Sequence, residues 1–449
     1  MPRKKEVLAS PFVPVEEQPY PIPENWCWTY GSTVLEDMES QRPAGNEFDY
    51  IDIDAIDNQK QAVNNPKRLP TSKAPSRASR KLHIGDTVFS LVRPYLKNIA
   101  YIDNSLAHCI ASTGFFVCTP KALLYDRYLY QLMISPYMVD GLNRYMKGDN
   151  SPSIRKDDIE QFPFPLPPLP EQHRIVTRIE SLFSKLDEAK EKAQTVVDGF
   201  ELRKSAILHK AFMGELTERW RKEHGVGLDS WKTSNLSDRF EIVGGVQKKP
   251  SRTPKDNPIP YLTVANVFRD RIDLSELRYF EVFDGELDKL RLQDKDILVV
   301  EGNGSGNEIG RCAMWHCELP TCIHQNHIIR LRVADSETIP EYVLYFLNSS
   351  AGKNIMKERA KTTAGLFNLS TGKIKTIPVA FATVLEQAEI VRILDCLLAQ
   401  EQQAKEAAEA ILTQIDTMKK AILARAFRGE LGTNDPEEEW AGELVKMIM

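Results

Sequence analysis

The sequence predicts an α+β chain with two β-rich, mixed α/β domains separated by a long antiparallel two-helix coiled coil, arranged as a pseudo-two-fold internal repeat. Three observations lead to this prediction. The chain has 449 residues, more than one hydrophobic core usually holds. It matches itself at an offset of 215 residues, which indicates a duplication. Each copy also ends in a heptad pattern of apolar residues, which is typical of a coiled coil.

The composition is that of a folded protein. Hydrophobic residues make up 42% of the chain and charged residues 27%, with a net charge of −5. The chain contains no run of about 18 apolar residues and begins without the apolar stretch of a secretory signal, so we expect neither a membrane span nor export. Seven cysteines scattered along a long chain favour the reducing cytoplasm over a disulfide framework.

The internal match is clearest in two blocks that keep the same offset without a gap. Glu171-Gln172 meets Glu386-Gln387, with Ile-Val following three residues later in both copies. The pattern Ala-Ile-Leu-x-Lys/Arg-Ala-Phe-x-Gly-Glu-Leu ends at Leu216 and again at Leu431. Earlier echoes have drifting offsets, so we expect each copy to be a variable domain followed by a well-preserved helix.

Between the two blocks, apolar residues recur at alternating spacings of four and three, which predicts a coiled-coil seam. Arg203 alone interrupts the first seam, and Glu401 alone interrupts the second. The predicted seam includes Ile175, Ile179, Leu182, Leu186 and Ile207 in the first helix and Ile390, Leu394, Leu397, Ile411, Ile415 and Ile422 in the second.

Two matched seams in one chain are predicted to face each other. Residues 175–207 would form a rod of roughly 50 Å at about 1.5 Å per residue. The short connection from Leu216 to Trp231 favours antiparallel pairing, because a parallel pair would require the second domain to carry the chain back along the whole rod. The alternative, in which each helix lies on its own domain, stays open at this point.

The domains show short runs with strand-like alternation, such as residues 50–53 and 297–300, and short helices are expected near 125–133 and 341–347. The prolines of residues 162–170 predict an extended connector. The predicted organisation is an N-terminal tail (1–20), a first variable domain (21–165), a central helix and linker (166–230), a second variable domain (231–380), a C-terminal helix (381–431) and an acidic C-terminal tail (432–449).

Positive charge is concentrated in one segment of this acidic chain. Residues 60–97 carry nine cations against one acid, Asp86, and a smaller basic segment lies at the matching place in the second copy. A solvated loop needs no counterpart, so the recurrence favours contact with nucleic-acid phosphates. The candidate DNA-binding cations are Lys67, Arg68, Lys73, Arg77, Arg80, Lys81, Arg93, Lys97, Lys248, Lys249, Arg252 and Lys255.

A glycine-rich stretch, residues 301–307, resembles a cofactor loop, but the residues after it indicate a strand and not the required helix. We predict instead a hairpin whose Asn303, Ser305, Asn307 and Arg311 contact base edges. The cysteines and histidines of residues 312–327 have no standard zinc-finger spacing, so no metal is predicted, although the sequence does not decide whether they bind one. No catalytic motif is recognisable, and no catalytic residue is predicted.

Taken together, these motifs resemble the specificity subunit of type I restriction-modification enzymes. The resemblance spans about residues 22–431. It is carried by Ile22-Pro-Glu-Asn-Trp26, by Pro167-Pro-Leu-Pro-Glu-Gln172 and by the two Ala-Phe-x-Gly-Glu-Leu sequences. The second helix departs from the pattern, because Ala382-Thr-Val-Leu-Glu-Gln387 replaces the proline-rich entry.

The resemblance implies a non-catalytic subunit of a phage-defence restriction system. In that family two target-recognition domains each read half of a bipartite double-stranded DNA sequence, and the helix pair sets the gap and docks two methyltransferase subunits. Restriction subunits complete the complex. No cofactor is implied for this chain: S-adenosylmethionine belongs to the methyltransferase partners, and ATP and Mg to the restriction partners.

Two alternatives from other classes remain at the level of sequence. A self-contained DNA methyltransferase would bind S-adenosylmethionine without a partner. A coiled-coil scaffold would show no salt-dependent binding to duplex DNA.

Overall fold

The structure is a computed structural model that describes residues 10–448, except 284, 303–307 and 361–367. The chain divides into two compact units, Met1–Ala193 with Ala410–Met449 and Gln194–Glu409. Each unit contains one variable domain and a part of both long helices. The units therefore follow the internal repeat.

The first half of the chain contains eleven strands and six helices among the described residues. The strands are β1 (Cys27–Tyr30), β2 (Glu47–Ile51), β3 (Ile56–Asp57), β4 (Ala62–Val63), β5 (Lys67–Pro70), β6 (Ala78–Arg80), β7 (Thr87–Ser90), β8 (Ile99–Tyr101), β9 (Ile110–Ser112), β10 (Phe115–Cys118) and β11 (Pro163–Leu166). The helices are α1 (Gly31–Val34), α2 (Asp126–Met133), α3 (Pro136–Asn143), α4 (Lys156–Glu160), α5 (Leu169–Asp198) and α6 (Phe200–Phe212).

The second half continues with the same alternation. Its strands are β12 (Lys232–Asn235), β13 (Phe240–Gly244), β14 (Pro258–Leu262), β15 (Val267–Phe268), β16 (Arg271–Ile272), β17 (Arg278–Glu281), β18 (Ile297–Val300), β19 (Cys312–Met314), β20 (Ile323–His324), β21 (Ile328–Val333) and β22 (Pro378–Phe381). Its helices are α7 (Glu218–His224), α8 (Leu287–Leu290), α9 (Pro340–Asn348), α10 (Ser350–Ala360), α11 (Thr371–Lys375), α12 (Val384–Ala426) and α13 (Ala441–Ile448).

The first variable domain is built from two main sheets. One has the order β5-β2-β9-β6 and the other β10-β7-β8, while β1 pairs with β11 where the chain enters and leaves the domain. The second variable domain repeats this plan with the sheets β13-β21-β18-β19 and β17-β14-β20, and β12 pairs with β22 at its entrance. In both domains the antiparallel entrance pair joins the domain to the start of a long helix.

A buried glutamine locks the start of each long helix onto its domain. Gln172 donates from Nε2 to the carbonyl oxygens of Leu123 (3.0 Å) and Pro167 (2.9 Å), and its Oε1 accepts the Tyr125 amide (2.7 Å). Gln387 makes the same three bonds, with donation to the carbonyls of Glu337 and Ala382 and acceptance from the Ile339 amide. Both glutamines are at most 1% exposed, so every polar atom of the side chain needs a partner.

The glutamate beside each of these glutamines bonds to the chain segment that follows the other long helix. In the first unit Glu171 accepts the Thr433 hydroxyl (2.7 Å) and lies 2.9 Å from Arg174, which also forms a bidentate pair with Glu438. Burial raises the pKa of Glu171, while Thr433 and Arg174 act to lower it.

In the second unit Glu386 accepts from Thr217 (2.7 Å), Arg221 (2.7 Å) and Trp231 (2.9 Å). Both glutamates are 0% exposed. A buried carboxylate with several charged or polar donors keeps its charge compensated.

The two long helices run antiparallel within each unit, as predicted. In the first unit Asp187 pairs with Lys419 at 2.6 Å and Lys190 approaches Asp416 at 4.0 Å, so rising numbers on one helix meet falling numbers on the other. In the second unit Arg203 pairs with Glu401 at 2.6 Å and the Lys405 Nζ atom lies 4.8 Å from the centre of the Phe200 ring, so the numbers again run in opposite directions. The fold class is therefore confirmed: two mixed α/β domains and a long antiparallel helix pair in a duplicated chain.

The buried face of the helix pair departs from a strict heptad. Ile175, Ile179, Ile390, Leu394 and Ile415 are buried, and Leu182, Leu186, Ile207, Leu397 and Ile422 are half-buried. Ile411 is 43% exposed and Met418 is 47% exposed, whereas Leu423 and Ala426 are buried. A straight α-helix drifts by about 20° per heptad, so the contact face moves away from the 3.5-residue repeat toward the end of α12.

Three other expectations need correction. The proline-rich residues 162–170 are not an extended connector throughout, because α5 begins at Leu169 and Pro170 occupies its first turn, where a missing N–H is tolerated. The first long helix is divided at Gly199 into α5 and α6. The acidic tail contains α13, whose Ala441 and Val445 are buried in the core of the first unit because they are spaced to share one helix face.

The glutamine lock predicts a specific loss of stability. Gln387→Met removes the amide and leaves two carbonyls and one N–H buried without partners, so we expect a loss of roughly 3 kcal/mol. In a unit of this size that corresponds to a lowering of the melting temperature by about 6–12 °C in scanning calorimetry.

Gln402→Met is the matched control, because Gln402 is exposed and bonds only to the Glu406 side chain. Its melting temperature should change by less than about 2 °C. Equal destabilisation by the two variants would contradict the role assigned to Gln387.

Candidate nucleic-acid interface

The hairpin loop between β7 and β8 forms the centre of a group of loops at one edge of the first domain. Leu91 donates its N–H to the Gly114 carbonyl (2.8 Å), and its own carbonyl accepts the Ile154 amide (2.9 Å). The Thr113 amide bonds to the Arg77 carbonyl (2.8 Å). These bonds bring together what we call the first loop cluster, residues 76–78, 91–98, 112–114 and 147–154.

Two of the predicted cations in this cluster have an unusual backbone. Arg93 (φ 49°) and Lys97 (φ 56°) adopt the left-handed conformation on either side of the short 3-10 turn Pro94–Leu96. Non-glycine residues seldom adopt it, and such strain is concentrated at functional sites. The Arg93 amide and guanidinium bond to the Pro152 and Asn150 carbonyls, which fix the loop against residues 147–154.

The predicted cations of residues 60–97 do not form one patch. Lys67 and Arg68 lie on β5, at the opposite edge of its sheet from β6, so they are strand residues and not loop residues as predicted. Both are already paired: Lys67 with Asp52 at 2.5 Å, and Arg68 with Glu47 and Asp49.

The cations near β6 differ in exposure and in whether an acidic side chain is paired with them. Lys73 and Arg77 are exposed, and no ion pair to either is found among the described residues. Arg80 is half-buried, and Lys81 is paired with Glu39 at 2.6 Å. The free positive charge is therefore carried by Lys73, Arg77 and the hairpin loop.

The second domain has a related group of loops, residues 245–249, 301–302, 325–327 and 368–369, which we call the second loop cluster. The Val246 amide bonds to the His324 carbonyl, and the Glu301 amide to the His327 carbonyl. The Leu369 amide bonds to the Glu301 carbonyl at 2.7 Å, as the Ile154 amide does to Leu91. The hairpin predicted around the glycine-rich stretch is present as antiparallel β18 and β19.

The predicted residues of the second domain fall into three groups. Lys248, Lys249 and Lys255 are exposed, and the described part of the chain offers them no ion pair. Arg252 is held by Glu286 in a bidentate pair, and Arg311 is only 14% exposed and bonds to the Val264 carbonyl. Asn303, Ser305 and Asn307 lie outside the described residues.

Sequence reasoning missed two exposed residues of the first loop cluster. Tyr95 is 45% exposed at the tip of the hairpin loop, and Lys147 is exposed beside it, held by two backbone bonds to Ser153. The signal for Tyr95 was its place in the turn sequence Arg93-Pro94-Tyr95, two residues before Lys97, since an exposed aromatic in a turn between cations can contact nucleic acid. Lys147 lies far away in sequence and could not be grouped with it.

Of the cysteines and histidines of residues 312–327, Cys312, Cys322 and His324 are buried, whereas His316, Cys317 and His327 are exposed. Cys312 is buried against the Asn348 amide oxygen, and His324 is 1% exposed with Nδ1 3.0 Å from the Ile328 carbonyl. Within the described residues, no group of three or more histidine, cysteine or acidic side chains is placed to hold a metal ion. No described helix combines the length and apolar character needed to cross a bilayer.

Comparison with known proteins assigns the family. Residues 47–196 and 229–410 match the family described as the type I restriction modification DNA specificity domain, one match in each copy of the repeat. The chain belongs to this family.

Among curated relatives, the specificity subunit of the type I restriction enzyme EcoKI from Escherichia coli K12 is 29% identical over 341 residues, 74% of this chain and 70% of the relative. Among solved structures, the HsdS subunit from Thermoanaerobacter tengcongensis superposes with a TM-score of 0.69 at 24% identity, over 92% of this chain and all of that chain. A chain from a structure of type I R-M complex assembly gives a TM-score of 0.73 at 24% identity, over the same shares of both chains. These two structures confirm the fold.

The buried His324 predicts a pH dependence of stability. Burial lowers the pKa of His324 to about 4, from about 6.5 in an unfolded chain. As the pH falls from 6.5 to 4, His324 is protonated in the unfolded chain but stays neutral in the folded chain. The free energy of unfolding therefore decreases in this pH range, by roughly 3 kcal/mol in total.

Urea unfolding followed between pH 7 and pH 4 measures this loss. His324→Gln should remove that part of the slope, whereas His316→Gln, at a histidine whose side chain is 61% exposed, should leave it in place. An unchanged slope in His324→Gln would mean that other groups cause the acid sensitivity.

Proposed function

We propose that this chain is the non-catalytic DNA-recognition subunit of a type I restriction-modification complex, in which each variable domain reads one half of a bipartite double-stranded target. The observation that carries the proposal is the duplication of the specificity domain, with one family match at residues 47–196 and another at 229–410. Two recognition domains joined in one chain read two half-sites at a fixed separation. The type I specificity subunit from E. coli supports the same role by similarity over most of both chains.

The two loop clusters are the surfaces we assign to DNA. Each includes residues that follow a hairpin strand of its domain. The first has the exposed cations Lys73 and Arg77 in or beside it, together with half-buried Lys97, and the second has exposed Lys248 and Lys249. Cations on loops contact phosphates, which supply much of the affinity, and polar or aromatic loop residues read base edges. Lys255 and Arg93 complete the proposed set.

The proposed partners follow from membership of the family. Two methyltransferase subunits would dock on the helix pair and supply S-adenosylmethionine and adenine methylation. Restriction subunits would supply ATP- and Mg-dependent translocation and cleavage. This chain would contribute the recognition sequence, bind no cofactor of its own and act in the cytoplasm. The antiparallel helix pair would set the number of base pairs between the half-sites.

Phosphate contact predicts a change in salt dependence. Lys73→Ala/Arg77→Ala, in complex with the methyltransferase subunits, should weaken binding to all duplex sequences alike. It should also lower the slope of log K against log salt by about one to two, because each lost phosphate contact removes about 0.9. Fluorescence anisotropy over a salt series measures both effects.

Lys67→Ala/Arg68→Ala is the matched control for this experiment. It removes the same charge from the same domain, but both cations are already neutralised by Asp52, Glu47 and Asp49. Its slope should change less than that of the first variant. If the control flattens the slope and the Lys73/Arg77 variant does not, the interface lies at β5 and the first loop cluster is wrongly assigned.

Independent reading by the two domains predicts that they can be exchanged. Residues 31–162 lie between the entrance strands β1 and β11, so they can be replaced by the same segment of a relative. Gln172 and its bond to Pro167 are kept, and the relative's backbone supplies the carbonyl and amide that take the places of Leu123 and Tyr125. Cells carrying this chimera and the partner methyltransferase should change one half of the methylated sequence and retain the other. Sequencing of methylated adenines reads the result, and the loss of both halves in a folded chimera would contradict independent recognition.

A further inference from the structure

Each predicted seam contains one polar residue, and these two residues contact each other across the helix pair. Arg203 interrupts the first seam and Glu401 the second, and the Arg203 Nε atom lies 2.6 Å from Glu401 Oε2. Both residues belong to the second unit, and their side chains are 36% and 24% exposed. Two interruptions that look unrelated in the sequence thus form one ion pair inside an otherwise apolar seam.

The helix backbone is adapted to hold this pair. Arg203 Nη2 donates to the Val196 carbonyl at 2.8 Å, two turns back along the helix. Its guanidinium occupies the space that a side chain at residue 199 would fill: a Cβ at Gly199 would lie 2.4 Å from Arg203 Nη1. Glycine is unfavourable inside a helix, so its presence at the junction of α5 and α6 is explained by the arginine that lies over it.

Apolar packing specifies register only weakly next to this pair. The buried residues of the helix pair on either side of its midpoint are Ala193 and Ala408, whose small side chains distinguish one alignment from another less than large ones would. A slip of one heptad would place Arg203 opposite Leu394 or Ala408, and Glu401 opposite Val196 or Lys210. Leu394 is fully buried, so the first slip sets both charges against apolar side chains, and the second leaves Arg203 facing buried Ala408 although Glu401 would meet Lys210.

We propose that the Arg203–Glu401 pair determines the spacer length of the DNA target by fixing the register of the helix pair. This inference rests on the proposed function. A single buried polar contact in a coiled coil is a known means of selecting one alignment at some cost in stability. The pair is therefore a positioning element for specificity and contacts neither DNA nor a reacting group.

The test replaces both charges at once. Arg203→Leu/Glu401→Leu keeps the seam apolar, so the complex with the methyltransferase subunits should stay folded, with a melting temperature equal to or above that of the wild type. Methylated adenines are then sequenced in cells that carry the complex. We expect the share of sites whose spacer differs from the wild-type length to rise about tenfold, equivalent to about 1.4 kcal/mol less preference for one register.

Two further variants separate register from loss of folding. Arg203→Leu alone leaves Glu401 without its cation, so it should lower the melting temperature more than the double variant does. Arg203→Glu/Glu401→Arg restores an opposite-charge pair and should bring the wild-type spacer back as the main product. Failure of the exchanged pair to restore it, in a folded complex, would contradict the proposal.

A matched control removes an interhelical ion pair that lies outside the seam. Asp187 and Lys419 are 2.6 Å apart in the first unit, with side chains 57% and 26% exposed. Asp187→Leu/Lys419→Leu should keep the single wild-type spacer. If this control broadens the spacer as much as the Arg203/Glu401 variant, any interhelical charge suffices and the proposal is wrong.

The outcomes also separate this inference from the proposed function. If the wild-type complex methylates no bipartite sequence, the proposed function itself fails. If the wild type methylates one bipartite sequence and Arg203→Leu/Glu401→Leu methylates it with the same single spacer, the recognition function stands and the register role of the ion pair is excluded.

Discussion

The buried Glu-Gln pair at the start of each long helix is the constraint on which the rest of the structure depends. Gln172 and Gln387 each bond three backbone groups, two in a variable domain and one in the segment just before the long helix. Glu171 and Glu386 bond to the segment that follows the other long helix. In each unit the variable domain, the start of one long helix and the segment after the other long helix thus meet at a buried Glu-Gln pair. Because an unpaired group there is costly, the variable domains can change in sequence only while they present the same carbonyls and N–H to this point.

The alignment of the two long helices is specified differently from their attachment to the variable domains. Most of its buried face is apolar and would accept several alignments, and its alanines weaken any preference further. The buried glutamates anchor the ends of the pair within each unit, and Arg203 and Glu401 add a polar contact inside the predicted seam. If the helix pair sets the DNA spacer as proposed, a single register matters more than maximal stability, and a partly buried ion pair favours a single register.

Much of the fold could be predicted because duplication and periodicity are properties of the sequence itself. The repeat followed from matching sequence blocks, the antiparallel direction from the short connection between Leu216 and Trp231, and strands such as β18 from patterns of apolar residues. Ile411 was misplaced because helices do not keep a 3.5-residue period, and α13 was missed because its short apolar face follows an acidic run. Tertiary packing determines both the exposure of Ile411 and the burial of α13, and a local sequence pattern does not show tertiary packing.

The candidate interface was harder to predict, because a cation in a sequence does not show whether an acid already neutralises it. Lys67 and Lys73 are six residues apart and have the same side chain, yet one lies beside Asp52 and the other is exposed without an ion pair among the described residues. A paired cation must exchange its carboxylate for a phosphate, so little charge is gained on binding, whereas a free one releases counterions from the DNA. Screening confines these effects to within about 8 Å at physiological salt, which is why a chain of net charge −5 can still present surfaces that attract DNA. The contribution of each cation is therefore set by its nearest acids, and only the fold determines which acids those are.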